Sequence, residues 1–259
     1  MLEQFGSVFS PLTAPGVMVA VWILVMISVP VIRWVAGVGA ERIGIAAGVL
    51  AQVAAVIVAI SSTLGWYSLI VIVVVPVLGW ASEVLGSRSG IPFGPYHYTD
   101  VLQPQVAHVP VLIPLAWLMM MPPAWAVGAA VAPGTPLLQW VIAAGAFAAW
   151  DVYLDPMMVK WNFWQWRKKG AYLGIPLINF VGWFLVAFLI TALLGVTGSW
   201  LGVGLVSNIP TAPLTLIFFV TWLLMFVGQM LFWRLRVSAV AGFVVMGLFV
   251  ALIVTQMGF

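Results

Sequence analysis

The chain has 259 residues, of which 64% are hydrophobic and 6% charged, with a net charge of +3 and no cysteine. A soluble domain carries about 25% charged residues, so a water-exposed surface is excluded. Disulfides and thiolate metal sites are excluded too, and so small a charge implies no nucleic-acid surface. A bundle of membrane helices needs no charged exterior, and fifteen Trp suit a protein with two membrane interfaces. The N-terminal stretch MLEQFGSVFSPLTAPG has no Lys or Arg and so lacks the basic region of a signal peptide. The first apolar segment is therefore read as a retained helix.

A span needs about 20 apolar residues. Polar, Gly and Pro clusters divide the chain into eight spans, at 15–35, 43–61, 66–86, 109–131, 137–155, 175–196, 213–233 and 237–257. The fold expected is an all-α membrane bundle in a single domain over 1–259. The cut between the second and third spans rests on Ser61, Ser62, Thr63 and Gly65, and charge supports it. With eight spans, Arg33, Arg42, Arg88, Lys160, Arg167, Lys168, Lys169, Arg234 and Arg236 all fall on one side, and none on the other. The positive-inside rule makes that side cytoplasmic, in the inner (plasma) membrane, with both termini outside. The Arg167-Lys168-Lys169 run reads as a topological anchor.

Of the six acidic residues only Glu3 falls outside; Glu41, Glu83, Asp100, Asp151 and Asp155 lie at cytoplasmic helix ends or loops. Carboxylates near the hydrocarbon layer are costly and so are candidates for function. Glu83, near the end of the third span, reads either as catalytic or as an interfacial partner of Arg88. Asp151 lies one turn inside the fifth span, and Asp155 four residues later on the same helical face. Asp155-Pro156 is also the pattern of a cap before a helix that opens with Pro. On that reading PMMVKWNFWQWRKKG forms a short interfacial helix bearing Trp161, Trp164 and Trp166.

The loop GSRSGIPFGPYHYTDVLQPQVAHVP is too aromatic for a solvated linker. Gly90, Pro92, Gly94 and Pro95 set tight bends, and Phe93, Tyr96 and Tyr98 imply that it folds back on the bundle. His97 and His108 sit in this loop and are read as hydrogen-bonded rather than metal-bound. Asn179, one turn inside the sixth span, either joins helices or orients a substrate or water. VPVLIPLAW and IPLINFVGW share a Pro–Trp spacing (Pro110 and Trp117, Pro176 and Trp183), and each follows a Trp and a carboxylate (Trp80 with Glu83, Trp150 with Asp151). Spans three–four and five–six are thus read as a tandem helix-pair repeat, bringing Glu83 and Asp151 face to face across an axis normal to the membrane.

WASEVLGSRSGIPFGPYHYTD, WDVYLDPMM and YLGIPLINFVGW, in that order from about residue 80 to 185, resemble the carotenoid hydratases of the CruF type. That family includes the bisanhydrobacterioruberin hydratases and the enzymes that hydrate lycopene or γ-carotene ends. The resemblance implies a membrane enzyme that adds water to the terminal double bond of an acyclic ψ end group, giving a tertiary alcohol. Its partners would be an acyclic carotenoid and membrane lipid.

Such a hydration needs no redox cofactor and no metal. It needs a proton on C2, a stabilised cation at C1 and a placed water. Two neighbouring carboxyl groups in an apolar site can supply acid and base. Glu83 and Asp151 are assigned as that pair. Phe93, Tyr96, Tyr98, Trp150 and Trp183 are assigned to the substrate and its cation, with Asn179 beside them and Asp155 and Arg88 in support. Two other readings compete. Asp151 and Asp155 form one Asp-x-x-x-Asp, as in UbiA-type prenyltransferases, although a second aspartate-rich motif is missing. Intramembrane carboxylates also suit a non-enzymatic carotenoid binder or transporter.

Overall fold

The computed structural model describes residues 13–256, apart from the side chains of Val38 and Glu41. Glu3 and both chain ends lie outside the described residues. Seven helical stretches among them are long and apolar enough to cross a membrane, and the second, Arg42–Ser89, has 48 residues. A straight helix of that length would be more than twice the roughly 30 Å of a bilayer core. It is instead a hairpin. Gly65 (φ 56) opens a 3-10 turn over Gly65–Tyr67, and the hydroxyls of Ser61 and Ser68 meet at 3.0 Å. Gln52 on one arm and Glu83 on the other reach neighbouring positions of one later helix, Met119 and Trp117. The helical stretch before it turns likewise at Gly37 (φ 81). A Cβ at Gly44 would touch Val29 and Ile32, and one at Gly48 would strike Met26.

The described residues therefore form eight helices: α1 (Ala14–Gly37), α2 (residues 42–64), α3 (Ser68–Ser89), α4 (Leu112–Val131), α5 (Pro136–Lys160), α6 (Leu177–Trp200), α7 (Thr211–Phe232) and α8 (Arg236–Gln256). Helix α4 is the axis of the bundle: every residue from Trp117 to Gly128 is buried, as befits a helix apolar on all sides. The α1–α2, α3–α4, α5–α6 and α7–α8 connections gather at one end. A bond from Lys160 Nζ to the Trp233 carbonyl joins two of the corners there. All nine Lys and Arg belong to that end.

Four short strands lie in the connections at that end: β1 (Tyr96–Tyr98), β2 (Gln105–Val106), β3 (Val109–Pro110) and β4 (Trp164–Trp166). Strands β2 and β3 form a small hairpin. Strand β1, which follows α3, pairs antiparallel with β4, which follows α5, in the register Tyr96–Trp166, His97–Gln165 and Tyr98–Trp164. Bonds from Thr99 N to Phe163 O (3.0 Å) and Arg167 N to Pro95 O (2.9 Å) extend this clasp.

The expected short helix after Asp155 does not form. Helix α5 runs on to Lys160 through Pro156, and residues 164–166 are strand. Pro156 has no N–H for the carbonyl of Val152 four residues back. Tyr172 Oη (2.9 Å) and Ser238 Oγ (3.4 Å) donate to that carbonyl instead, so the helix continues without an orphaned acceptor. Helix α4 solves the same problem at Pro123: the freed Met119 carbonyl accepts from Gln52 Nε2 at 3.2 Å.

Candidate functional site

Glu83 is buried one and a half turns from the end of α3, and three side chains donate to its carboxyl. Tyr96 Oη lies 2.5 Å and Tyr98 Oη 2.8 Å from Oε2, and Trp117 Nε1 lies 3.2 Å from Oε1. The backbone explains the fit. Gly79, one turn before Glu83, is where the Trp117 ring rests; a Cβ there would come within 2.5 Å of it. Strand alternation turns Tyr96, Tyr98, Trp164 and Trp166 inward and leaves His97 and Gln165 exposed. The two phenols are held well above the ordinary tyrosine pKa, first by burial and then by the charge of Glu83. They therefore stay neutral donors. Arg88 is exposed and is not among the partners of Glu83, so the Glu83–Arg88 pairing considered from sequence is not formed.

Across the cavity from Glu83 stands Asp155, 1% exposed. It is a mid-helix residue rather than a cap. Its Oδ1 accepts from Trp164 Nε1 at 3.1 Å and its Oδ2 from Asn179 Nδ2 at 2.5 Å. The same amide nitrogen of Asn179 donates to Asp151 Oδ2 at 2.7 Å. One amide thus bridges two carboxyls on consecutive turns of α5. Asp151 Oδ1 has no donor among the described residues.

A cavity of about 20 Å³, room for about one water, is lined by Glu83, Asp155, Asn179, Phe93, Tyr96, Tyr98, Trp164, Trp166, Trp183 and three aliphatic residues. Six of the residues singled out from sequence as catalytic or substrate-binding therefore share one chamber: Glu83, Phe93, Tyr96, Tyr98, Asn179 and Trp183. Two do not. Asp151 stands behind Asp155, because a one-turn step along α5 puts Asp155, not Asp151, at the depth of the cavity. Trp150 turns toward a second cavity and meets Trp183 edge-on, with centroids 6.3 Å apart. Phe93 is wedged between Gly86 and Gly182, where added Cβ atoms would lie 2.5 and 2.9 Å from its ring. Both histidines and Asp100 are exposed.

The second cavity is much larger, about 420 Å³, and is bounded by α1, α2, α4, α5, α7 and the start of the α5–α6 connection. Its wall is almost wholly aliphatic, Met and aromatic. Ile113, Ala116, Leu154 and Trp164 line both cavities, so a long apolar space adjoins a small carboxyl-lined one across a thin partition. Sequence reasoning missed this space, which is assembled from helices distant along the chain. It also missed the role of Trp164 and Trp166, although the alternation in NFWQW is a strand signal.

The sequence matches, over residues 43–249, a family described as carotenoid biosynthesis protein. The matched region holds every residue of the chamber. The search of curated proteins and that of solved structures gave no match. A multi-pass helical bundle, a buried carboxyl chamber and an apolar cavity wide enough for a lipid-like chain agree with that match, which covers most of the chain: the protein belongs to the carotenoid biosynthesis protein family.

Proposed function

We propose that this protein is a carotenoid 1,2-hydratase, an enzyme that adds water across the terminal double bond of an acyclic end group. The observation that carries the reading is the adjacency of the two cavities: a carboxyl-lined chamber with room for one water lies against an apolar space of about 420 Å³, with Ile113, Ala116, Leu154 and Trp164 between them. The polyene would lie in the larger space with its end double bond at the partition.

The hydrogen bonds divide the labour. Asp155 and Asp151 meet on one amide nitrogen of Asn179, too close in an apolar site for both to ionise, and Asp155 faces the chamber; it is the acid that protonates C2 of the substrate. The tertiary cation at C1 lies against Trp183 and Phe93, and each such face contributes about 0.5–2 kcal/mol. Glu83, furnished with three donors, is built as an acceptor; it takes the proton from the water as the water oxygen bonds to C1. Passing that proton back to the aspartate pair through the chamber restores the enzyme. Substrate plus water gives the tertiary alcohol, with no change of oxidation state. The resemblance of the α3–α6 motifs to CruF-type hydratases supports the same assignment.

The test is expression in cells that accumulate lycopene. A more polar product, heavier by one water, is the expected outcome. In deuterium oxide it carries one deuteron at C2, and formation continues in the presence of a chelator. No new pigment would leave a carotenoid binder, and chelator-sensitive prenylated products would leave a prenyltransferase; either sinks the hydratase reading.

A further inference from the structure

The stretch YLGIP, which leads into α6, delivers a side chain to the backbone of α5 rather than to either cavity. Residues 170–176 make a tight return. Gly170 N donates to Gly174 O at 2.9 Å, and Tyr172 and Ile175 exchange both backbone bonds, at 3.2 and 2.8 Å. A Cβ at Gly170 would lie 2.2 Å from the Ile175 carbonyl, and Gly174 has φ 90, so both positions call for glycine. The return sets the Tyr172 ring edge-on to Phe180 of α6, centroids 5.6 Å apart, and brings its hydroxyl to Val152 O at 2.9 Å. Tyr172 lines neither the chamber nor the large cavity.

Helices α7 and α8 reach the same turn of α5. The end of α7 is wound as a π-helix over Gly228–Phe232, a rare form frequent at functional sites. Gln229 in that segment is fully buried. Its Nε2 donates to Tyr153 O at 2.7 Å, and its Oε1 accepts from Ser238 Oγ of α8 at 2.5 Å. Ser238 has one proton to give, and its contact with Val152 O is the longer, at 3.4 Å. Tyr172 is therefore the principal donor to that carbonyl. Gly242, one turn on from Ser238, seats the Tyr153 ring, which a Cβ there would meet at 2.5 Å.

Two successive carbonyls, of Val152 and Tyr153, are thus held from outside the helix, and they lie between Asp151 and Asp155. Pro156 creates the need, because it leaves the Val152 carbonyl without an in-helix donor. The Asn179 bridge, at 2.7 Å to Asp151 and 2.5 Å to Asp155, depends on this turn. Hydrogen bonds weaken beyond about 3.2 Å, so the bridge tolerates little movement.

We infer that Tyr172 is a positioning residue: through the Val152 carbonyl it fixes the α5 turn that carries Asp151 and Asp155, and so aims Asp155 into the chamber. The chemistry that is aimed rests on the hydratase reading. Helices α7 and α8, which line no part of the chamber, share in the reaction by bracing the same turn.

The experiment measures lycopene hydration by the purified full-length protein in detergent. Tyr172→Phe keeps the ring and removes the donor. It lowers kcat about 10–100-fold, as a small misplacement of the acid does, and leaves KM unchanged, since substrate binding is untouched. Pro156→Ala puts an N–H opposite the Val152 carbonyl and makes the outside donor redundant. The double variant Tyr172→Phe/Pro156→Ala and Pro156→Ala alone therefore both turn over at close to the wild-type rate. Wild-type kcat in Tyr172→Phe, a loss carried by KM, or a loss that Pro156→Ala does not repair overturns the assignment. Hydrogen–deuterium exchange of the stretch 150–156 follows the same proteins without reference to product. It quickens in Tyr172→Phe and returns to the wild-type rate in the double variant; unchanged exchange in Tyr172→Phe also overturns the assignment. No hydrated product from wild type would remove the hydratase reading, and exchange alone would then decide whether Tyr172 fixes the turn.

Discussion

Trp117 and Trp183 lie face to face at the centre of the bundle, ring centroids 4.9 Å apart and planes 12° from parallel. They occupy matching places in the two helix pairs, each seven residues after a proline, Pro110 and Pro176. The antiparallel pairing of β1 with β4 lies on the same seam. Both relationships pair equivalent positions of the two helix pairs. The seam runs through the chamber: Glu83 with its tyrosines and Trp117 comes from one unit, Asp155 with Trp164 and Asn179 from the other.

The acid and base assignments predict unequal consequences for three isosteric changes. Asp155→Asn and Glu83→Gln each lower product formation by about 10²–10⁴-fold, the usual worth of a positioned acid or base, with membrane protein levels unchanged. Asp151→Asn removes the reservoir behind the acid and costs less, because Asp155 still lines the chamber. Pigment extraction from cells normalised to protein measures this. Wild-type turnover by Asp155→Asn would remove it as the acid.

Gly79 predicts a packing effect on chemistry. An alanine Cβ there would meet Trp117 at 2.5 Å, and indole cannot yield as a flexible chain can. Gly79→Ala displaces Trp117 from Glu83, at a cost of about 1–3 kcal/mol for overpacking, and cuts hydration more than it cuts folded yield. Unchanged activity would show that the Trp117–Glu83 bond is dispensable.

Alkaline titration reads the phenols outside the spans. Tyr96 and Tyr98 are raised well above the ordinary value by burial and by Glu83, and Tyr172 is raised by burial to about 12. Their contribution to stability is full below the unfolded pKa of about 10 and is lost as pH rises through the folded values. In the folded protein the phenolate absorbance at pH 10.5 is therefore the same for wild type, Tyr96→Phe and Tyr98→Phe. Thermal stability declines only above about pH 10. A smaller absorbance in either variant would mean that the phenol is already ionised.

The arrangement of spans predicts compartment. Reporter fusions at positions 38 and 165, at the arginine-bearing end, report the cytoplasm, and one at 134 reports the outside. Any other pattern sinks the orientation.

Helix number, the side of the charges and the folding back of the aromatic loop were legible in the sequence because they follow from hydropathy, Lys and Arg placement, and composition. The cut at Ser61–Gly65 was legible for the same reason. Asp155 was not. Read locally, Asp-Pro is a helix start, and only Tyr172 and Ser238, which take over the Val152 carbonyl, make it a helix interior. Those partners lie 20 and 86 residues away, beyond the reach of any local pattern. The same distance hid the wide cavity, whose walls come from five helices.

The clasp between β1 and β4 also bears on how the protein meets bilayers of different thickness. Helices answer a thicker or thinner hydrocarbon layer by tilting. Here α3 and α5 are tied together at one end by the strand ladder and the bonds of Thr99 and Arg167. Tilt then pivots about that end, and displacement grows toward the opposite one, where Gly195, Gly198, Gly202 and Gly204 border a loosely filled space of about 230 Å³. Displacement on tilting is then greatest there, far from the carboxyls, and least around Glu83 and Asp155.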